Sequence, residues 1–469
     1  MIDTARTYGE GESEELVGDV LGDVTARFGL ERSHFRLVSK SGYVPSSAIH
    51  VHDGEKPHSS VKHVHSYEGQ GPNDRPNILK ARLESTHELL DLSHIGVGDI
   101  YHSLHPTIIQ QQLDHSLDAL KTDYIDAYLL HNPEHYIQYQ QMLERVGTKE
   151  RSKLITPTPS SKIEAPADLP PVLPPLSSFP SFDEKLFEAF TVLEEAVLEG
   201  KIRSYGISSN WLAYSSESKE LGYQEWTDIA ESAYNRIHPP TATAHDKTTR
   251  RSSFRVLQFP ANLLETYGVD HVAPWAKSQG LEVMVNRPLD ATDSQGQWRL
   301  ASYKGIPNSV YSSLLEATLE HFHHPPSDSK DSASTAAKNA KFMIALLKDL
   351  DRERYTFSSI YHYQQDFSAQ IMPMLVERLS MMQDAKAVEA IQTFLEVYEM
   401  KVREHCCIAT EEYIESKYPG KYTKSVPLQQ FAMKYLLNNP NVDVVLNGMT
   451  RQKYVDEALS LVHLSPASI

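Results

Sequence analysis

The stretch SLDALKTDYIDAYLLHNPE, residues 116–134, decides the class of fold. Its opening residues close a segment of helical character over 107–121, and IDAYLLH, 125–131, is then a mostly apolar run that ends on His131. A continuous apolar run, unlike an alternating one, marks a strand covered on both faces, as in a parallel sheet sandwiched by helices. The same alternation extends outward. Upstream, residues 13–30 read as a helix with Leu16, Val17, Val20, Leu21, Val24 and Phe28 on one face, Ser13 as its cap, and Glu14 and Glu15 at its positive end. FRLVSK, 35–40, reads as a strand. Downstream come a helix over 184–199 stopped by Gly200, a strand SYGISS, 204–209, and a helix near 223–235. Strands FRVLQF, 254–259, and LEVMVN, 281–286, follow with a short helix between them. A helix over 427–437 leads to a last buried strand, VDVVLNG, 442–448, and a closing helix over 451–461.

Between these elements the pattern breaks. Residues 44–75 are rich in Pro, Gly, Ser and His and read as a surface insert, with helical character returning over 76–92. Residues 147–180 are Pro/Ser-rich and cannot bury enough apolar surface to offset their ordering entropy, which predicts a mobile loop. From 313 to 417 the pattern is mostly helical, interrupted by a polar stretch at 325–337, and is too long for one crossover helix.

The 469 residues suffice for two or three ordinary domains or one large α/β barrel with insertions. A formal charge of −17 argues against nucleic-acid or anionic-membrane partners, which need a Lys/Arg surplus. The two cysteines, Cys406 and Cys407, are adjacent, which excludes a disulfide framework and a cysteine zinc site. No apolar run reaches the roughly 18–20 residues of a membrane span. Asp3, Arg6 and Glu10 stand where a signal peptide would be apolar, so the expected setting is cytoplasmic.

In a (β/α) barrel the C-terminal strand ends converge on one face, where active sites lie. Here those ends carry Asp3 with Tyr8 beyond it, Lys40, His131, Ser208 with Ser209, and Gln258 with Asn262 beyond it. A phenol is a poor acid at neutral pH, and an adjacent ammonium stabilises the phenolate. A buried lysine needs a carboxylate, which Asp3 supplies. A histidine nearby can orient a substrate carbonyl. Such a set protonates a carbonyl oxygen while a cofactor delivers hydride.

These residues resemble the aldo-keto reductase family. DTARTYGEGESEELVG (3–18) looks like its second-strand signature, and LVSKSGY (37–43) like the strand ending in its lysine. The quoted 116–134 stretch resembles the segment running to its histidine, and EGKIRSYGISSN (199–210) its Gly-Lys-Ile-Arg and Gly-x-Ser segment. LQFPANLLE (257–265) resembles the glutamine strand, and VVLNGMTRQKYVDEAL (444–459) the segment at the adenosine phosphate. The resemblance implies Tyr8 as general acid, Lys40 and Asp3 as its tuning pair and His131 as substrate orienter. It implies that Ser208, Ser209 and Gln258 hold the nicotinamide amide. Asn286 stands where many relatives stack an aromatic, with Arg287 to cover the ring. Gly448, Lys453, Thr450 and Arg451 would face the adenosine phosphate. The implied cofactor is NADP, with NAD also possible because Thr450 replaces a frequent cation. The implied substrate is a carbonyl or alcohol: an aldehyde, ketone or sugar.

The resemblance also implies that the chain begins at the family's second strand. The expected fold is therefore α/β, (β/α)8 TIM-barrel-like but incomplete at seven parallel strands, with an all-α insertion before the last strand. The expected organisation is a first barrel part at 1–132, a loop at 133–182, the barrel continued at 183–312, a helical insertion at 313–425, and the last strand and helix at 426–469. An alternative is a catalytically impaired relative serving as a cofactor-binding or partner-binding scaffold.

Each residue also has a plainer reading. Asp3 and Tyr8 alone fit a helix-start loop, Ser208 and Ser209 polar loop starters, and Arg451 and Lys453 charges on a first helical turn. His50, His52, His58, His63 and His65 suggest a metal, but lie among Pro, Ser and Gly without carboxylate or cysteine support and read as solvated. No metal is expected. YIESK, 413–417, matches the Tyr-x-x-x-Lys of short-chain dehydrogenases, yet lacks the Gly-rich turn that goes with it. The stripe Phe342, Leu346, Leu347 and Leu350 reads as helix-packing core.

Overall fold

The computed structural model describes residues 1–45, 89–145, 180–238, 251–323, 330–382 and 384–462. The histidine-rich insert beyond Pro45 and nearly all of the 147–180 segment lie outside the described residues. The chain forms two compact units, Met1–Pro260 with Tyr267–Met284, and Ala261–Thr266 with Val285–Ile469.

The first unit contains β1 (Ile2–Asp3), α1 (Glu12–Phe28), β2 (Leu37–Ser41), β3 (Tyr43–Pro45), β4 (Leu90–Asp91), β5 (Ile100–His102) and α2 (Pro106–Ala119). It continues through β6 (Ala127–His131), α3 (His135–Arg145), α4 (Phe182–Leu198), β7 (Tyr205–Ser208), α5 (Ser215–Glu220) and α6 (Trp226–Ile237). It ends with β8 (Phe254–Pro260), α7 (Ala273–Ser278) and β9 (Glu282–Asn286), whose last two residues fall in the second unit. The second unit carries a hairpin, β10 (Asp290–Asp293) and β11 (Gly296–Arg299), then α8 (Asn308–His323), α9 (Lys330–Glu353), α10 (Ile360–Asp366), α11 (Met372–Met382) and α12 (Ala385–Lys417). It closes with α13 (Leu428–Leu437), β12 (Val444–Val445) and α14 (Gln452–Val462).

Among the described residues, one parallel sheet of seven strands has the order β1-β2-β6-β7-β8-β9-β12. Both the parallel α/β class and the helical part before the last strand agree with the sequence reading. The physical reason is visible in β6 and β7, where Ala127, Tyr128, Leu129 and Leu130, then Tyr205 and Ile207, are all buried. α4 starts from a capping box in which Ser181 and Glu184 satisfy each other's backbone N–H, and Leu186, Ala189, Phe190 and Leu193 form its buried stripe. Each such fully buried side chain stabilises the fold by about 1.5–3 kcal/mol. The strand ends are level: His131 lies opposite Ser208, and Ser208 opposite Gln258.

Several expectations change. Helix α1 is capped by Gly11 in a left-handed conformation, while Ser13 Oγ bonds Thr4 Oγ1 at 2.8 Å. Its buried strip is Glu14, Gly18 and Leu21, and Leu16, Val20 and Phe28 are exposed. Of the helical character expected over 76–92, residues 76–88 lie outside the described residues, and Leu90–Asp91 form β4, which joins β3 and β5 in a small antiparallel sheet. The polar stretch at 325–337 does not interrupt the helices throughout, since α9 begins at Lys330. The last strand shrinks to Val444–Val445, and both residues are only partly buried. In the second unit, Leu346, Leu347 and Leu350 pack with Phe394 and Tyr398 in one helical core, and Phe342 lies against it. Tyr413 of YIESK stacks on Trp298 at 4.3 Å and donates to Asp293 Oδ2 at 2.5 Å, a structural pairing.

Candidate active site

Four strand ends of the first unit meet in one hydrogen-bonded chain. Ser208 Oγ donates to Gln258 Oε1 at 2.9 Å, and Gln258 Nε2 donates to Asp3 Oδ1 at 2.9 Å. Asp3 Oδ2 accepts from Lys40 Nζ at 2.7 Å, and Lys40 Nζ also reaches Thr4 O at 2.9 Å and Tyr8 Oη at 3.5 Å. In sheet order β8 is four strands from β1. A flat sheet would separate them by about 19 Å. The Gln258–Asp3 contact is therefore possible only because the sheet of the first unit curls.

Lys40 is 1% exposed, and an unpaired ammonium there would cost several kcal/mol. Asp3 and the Thr4 carbonyl meet that need. Tyr8 sits at the start of a short 3-10 turn, Tyr8–Gly11, and is 40% exposed. Its ring meets the His131 ring edge-on, with centroids 6.0 Å apart, and the Lys40 ammonium lies 5.0 Å from its centroid. His131 is held well below the usual imidazole range, first by burial, then by Lys40, His102 and His135. It is a neutral ring facing a fixed cation.

Behind His131 lies a polar layer to which the sequence reading gave no role. His102 Nε2 bonds the His131 carbonyl at 2.8 Å, and burial pushes the His102 imidazole down to about 3. Tyr43 packs edge-on against His131 at 4.8 Å, and its hydroxyl joins His135 Nε2 and Asn132 Nδ2, each at 2.7 Å. Gly42 has φ of +136°, and a Cβ there would lie 2.8 Å from His102 Nε2 and 2.9 Å from the His131 carbonyl. Glycine is what lets this backbone approach the His131 carbonyl and the His102 ring together. Glu134, 1% exposed, accepts the Asn210 N–H at 2.9 Å and ties the loop after β6 to the loop after β7. Burial raises its carboxyl to about 7, against hydrogen bonds from its own backbone, Ser209, Asn210 and Trp211 that lower it. Tyr43 and Glu134 stand inside the quoted motifs, but His102 closes a short strand with no readable pattern.

The expected residues thus divide. Asp3, Tyr8, Lys40, His131, Ser208, Ser209 and Gln258 lie in the first unit. Ser209 Oγ accepts the Trp211 N–H at 3.2 Å, and its own N–H donates to the Gln258 carbonyl at 2.9 Å. Asn286, Arg287, Gly448, Thr450, Arg451 and Lys453 lie in the second unit. Arg287 has φ of +50° and pairs with the buried Glu265 at 3.3 Å. Asn262, beyond the strand carrying Gln258, accepts the N–H groups of Leu264 and Glu265 at 3.0 and 2.9 Å and shapes a turn. Gly448, Arg451 and Lys453 line one cleft of about 490 Å³, and Lys453 pairs with Glu457 at 3.7 Å.

The donor set suits a nicotinamide dinucleotide. In the first unit a hydroxyl and a primary amide, Ser208 and Gln258, offer donors and acceptors of the kind a carboxamide needs.

Residues 1–230 match the family model described as the Aldo/keto reductase family. Comparison with curated proteins finds no match. Among solved structures the chain is similar to the aldo-keto reductase AKR11C1 from Bacillus halodurans in its holo form, at 16% identity, covering 99% of this chain and 77% of that one, with a TM-score of 0.39. It is likewise similar to the glycerol dehydrogenase AKR11B4 from Gluconobacter oxydans, at 15% identity, covering 99% and 76%, with a TM-score of 0.38.

Proposed function

We propose that this chain, whose residues 1–230 match the family model of the aldo/keto reductases, is an oxidoreductase that interconverts an aldehyde, ketone or sugar with its alcohol using NADP in preference to NAD. The observation that carries this reading is the contact chain Ser208–Gln258–Asp3–Lys40–Tyr8 at the curled strand ends.

Ser208, Ser209 and Gln258 would hold the carboxamide, with Asn286 and Arg287 toward the ring. Gly448, Thr450, Arg451 and Lys453 would hold the adenosine phosphate. The bound cofactor supplies hydride to the carbonyl carbon. Tyr8 Oη delivers the proton to the carbonyl oxygen, and the Lys40 ammonium, held by Asp3, stabilises the phenolate left behind. Tyr8 is exposed enough to regain its proton from solvent. Neutral His131 has one N–H with which to orient the carbonyl, and its low basicity keeps it from competing with Tyr8 as the acid. A cytoplasmic setting, with no nucleic-acid or membrane partner, completes the proposal; it draws on the −17 charge and the two free cysteines.

The test measures cofactor oxidation over a panel of aldehydes, ketones and sugars for wild type and Tyr8→Phe. Loss of the general acid lowers turnover by roughly 10²–10⁴-fold. Equal turnover in the variant removes Tyr8 from the reaction. A folded wild type that binds no NADPH leaves the scaffold reading in its place.

A further inference from the structure

The cleft that holds Gly448, Arg451 and Lys453 has an opposite wall made by the helical insertion. Glu399, Met400, Arg403, Cys407 and Thr410 of α12 recur at one-, three- and four-residue steps, the spacing of a single helix face, and all line this cleft. The Tyr303 N–H bonds Cys407 Sγ at 3.1 Å, which fixes the 303 segment against that face. Arg403 uses Nε and one Nη to bind Glu399 Oε1, at 2.9 and 2.6 Å. A guanidinium carries five N–H groups, so three of them are not engaged by Glu399. Burial first raises the Tyr303 phenol; Arg403 and Arg451 pull it down, and Glu399 and Glu404 push it up.

We propose that Arg403 of the helical insertion is a specificity-determining residue, which together with Arg451 recognises the phosphomonoester on the adenosine ribose of the dinucleotide. This rests on the cofactor reading above and extends it to a segment outside the family match, since residues 1–230 do not include α12. The chemistry favours a phosphomonoester. Arginine presents a planar fork that fits phosphate oxygens in pairs, and Arg403 and Arg451 both line this cleft. Glu399 orients the fork.

The experiment is equilibrium titration of the full chain with NADPH and with NADH, followed by the quenching of protein fluorescence. It compares wild type, R403A and R403K, with thermal shifts by 2′,5′-ADP and 5′-AMP measured in parallel. R403A weakens NADPH by roughly 10- to 100-fold, the range of a hydrogen bond to a charged group, and leaves NADH unchanged. R403K, which keeps the charge but not the fork, loses part of the preference. The 2′,5′-ADP shift falls in both variants and the 5′-AMP shift stays. Equal weakening of NADPH and NADH, or unchanged NADPH binding in both variants, overturns the proposal. Should R403A not fold, R403K decides by the same criteria. Failure of the wild type to bind either cofactor overturns the cofactor reading itself, a result distinct from tight wild-type binding that Arg403 does not affect.

Discussion

At the scale of single residues, the first unit keeps three histidines neutral beside a buried ammonium. His102, His131 and His135 all sit below the ordinary imidazole range, with burial as the first cause of each. A group whose folded pKa is depressed stays uncharged in the native state, so the unfolded chain binds more protons as pH falls below about 6.5. The stability these rings contribute is present above that pH and is lost on acidification. For His102, with a folded value of about 3, the loss over the window is of order 4–5 kcal/mol. Glu134 has the opposite sign. Its raised folded value of about 7 adds stability below the ordinary carboxylate range, which is lost as pH rises through about 7. Urea titrations across pH should show His102→Gln flattening the acid limb and Glu134→Gln flattening the slope between about 4.5 and 7. An unchanged acid limb in His102→Gln would mean that the ring already carries its proton in the native state. The clustering of Lys40 and His131 with Asp3 and Tyr8 was legible from sequence because the first two close apolar runs and the other two stand together in the opening stretch. The layer behind it was not, because burial, which lowers the His102 imidazole and raises the Glu134 carboxyl, leaves no local pattern.

At the scale of elements, the site depends on how closely β7 and β8 approach. Gly206 lies in β7, and a Cβ there would stand 2.0 Å from the Val256 carbonyl of β8. That atom is backbone and cannot turn aside, so Gly206→Ala pushes the strands apart two residues before Ser208. Overpacking of this kind costs typically about 1–3 kcal/mol. The expected outcome is a lowered melting temperature together with weaker NADPH binding, because the Ser208–Gln258 bond spans the same two strands. Wild-type affinity in a destabilised variant would separate the strand packing from the carboxamide site. The long central elements were readable for the same reason that they pack. β6 carries an apolar run up to His131 and α4 an apolar stripe, which burial on two faces or one demands. The short ones were not. β4 has only two residues and β5 only three, too few to show a period, and their pairing with β3 joins segments far apart in sequence. In α1 the apolar pattern misled, since glycine and glutamate, Gly18 and Glu14, make its close contacts: Ser39 Oγ donates to Glu14 Oε1 at 2.5 Å.

At the scale of the whole molecule, charge sets how an anionic ligand arrives, as distinct from how it is held. The chain carries 62 acidic and 45 basic residues, and its formal charge is −17. On the cofactor reading proposed above, a dinucleotide bearing an extra phosphate would meet a repelling field at long range and Arg403, Arg451 and Lys453 only at contact. The screening length shrinks from about 30 Å at 0.01 M salt to about 8 Å at 0.15 M. Salt over that range removes repulsion from distant carboxylates first and reaches contacts inside the cleft last. The association rate of NADPH should therefore rise as salt is added through this range, the reverse of the behaviour of a protein whose surface steers an anion toward its site. Stopped-flow quenching at fixed NADPH, from 0.01 to 0.15 M sodium chloride, reads it directly. A rate that falls steadily with salt would show that the cations of the second unit govern the approach as well as the grip, and that the field outside the cleft is positive in spite of the overall charge.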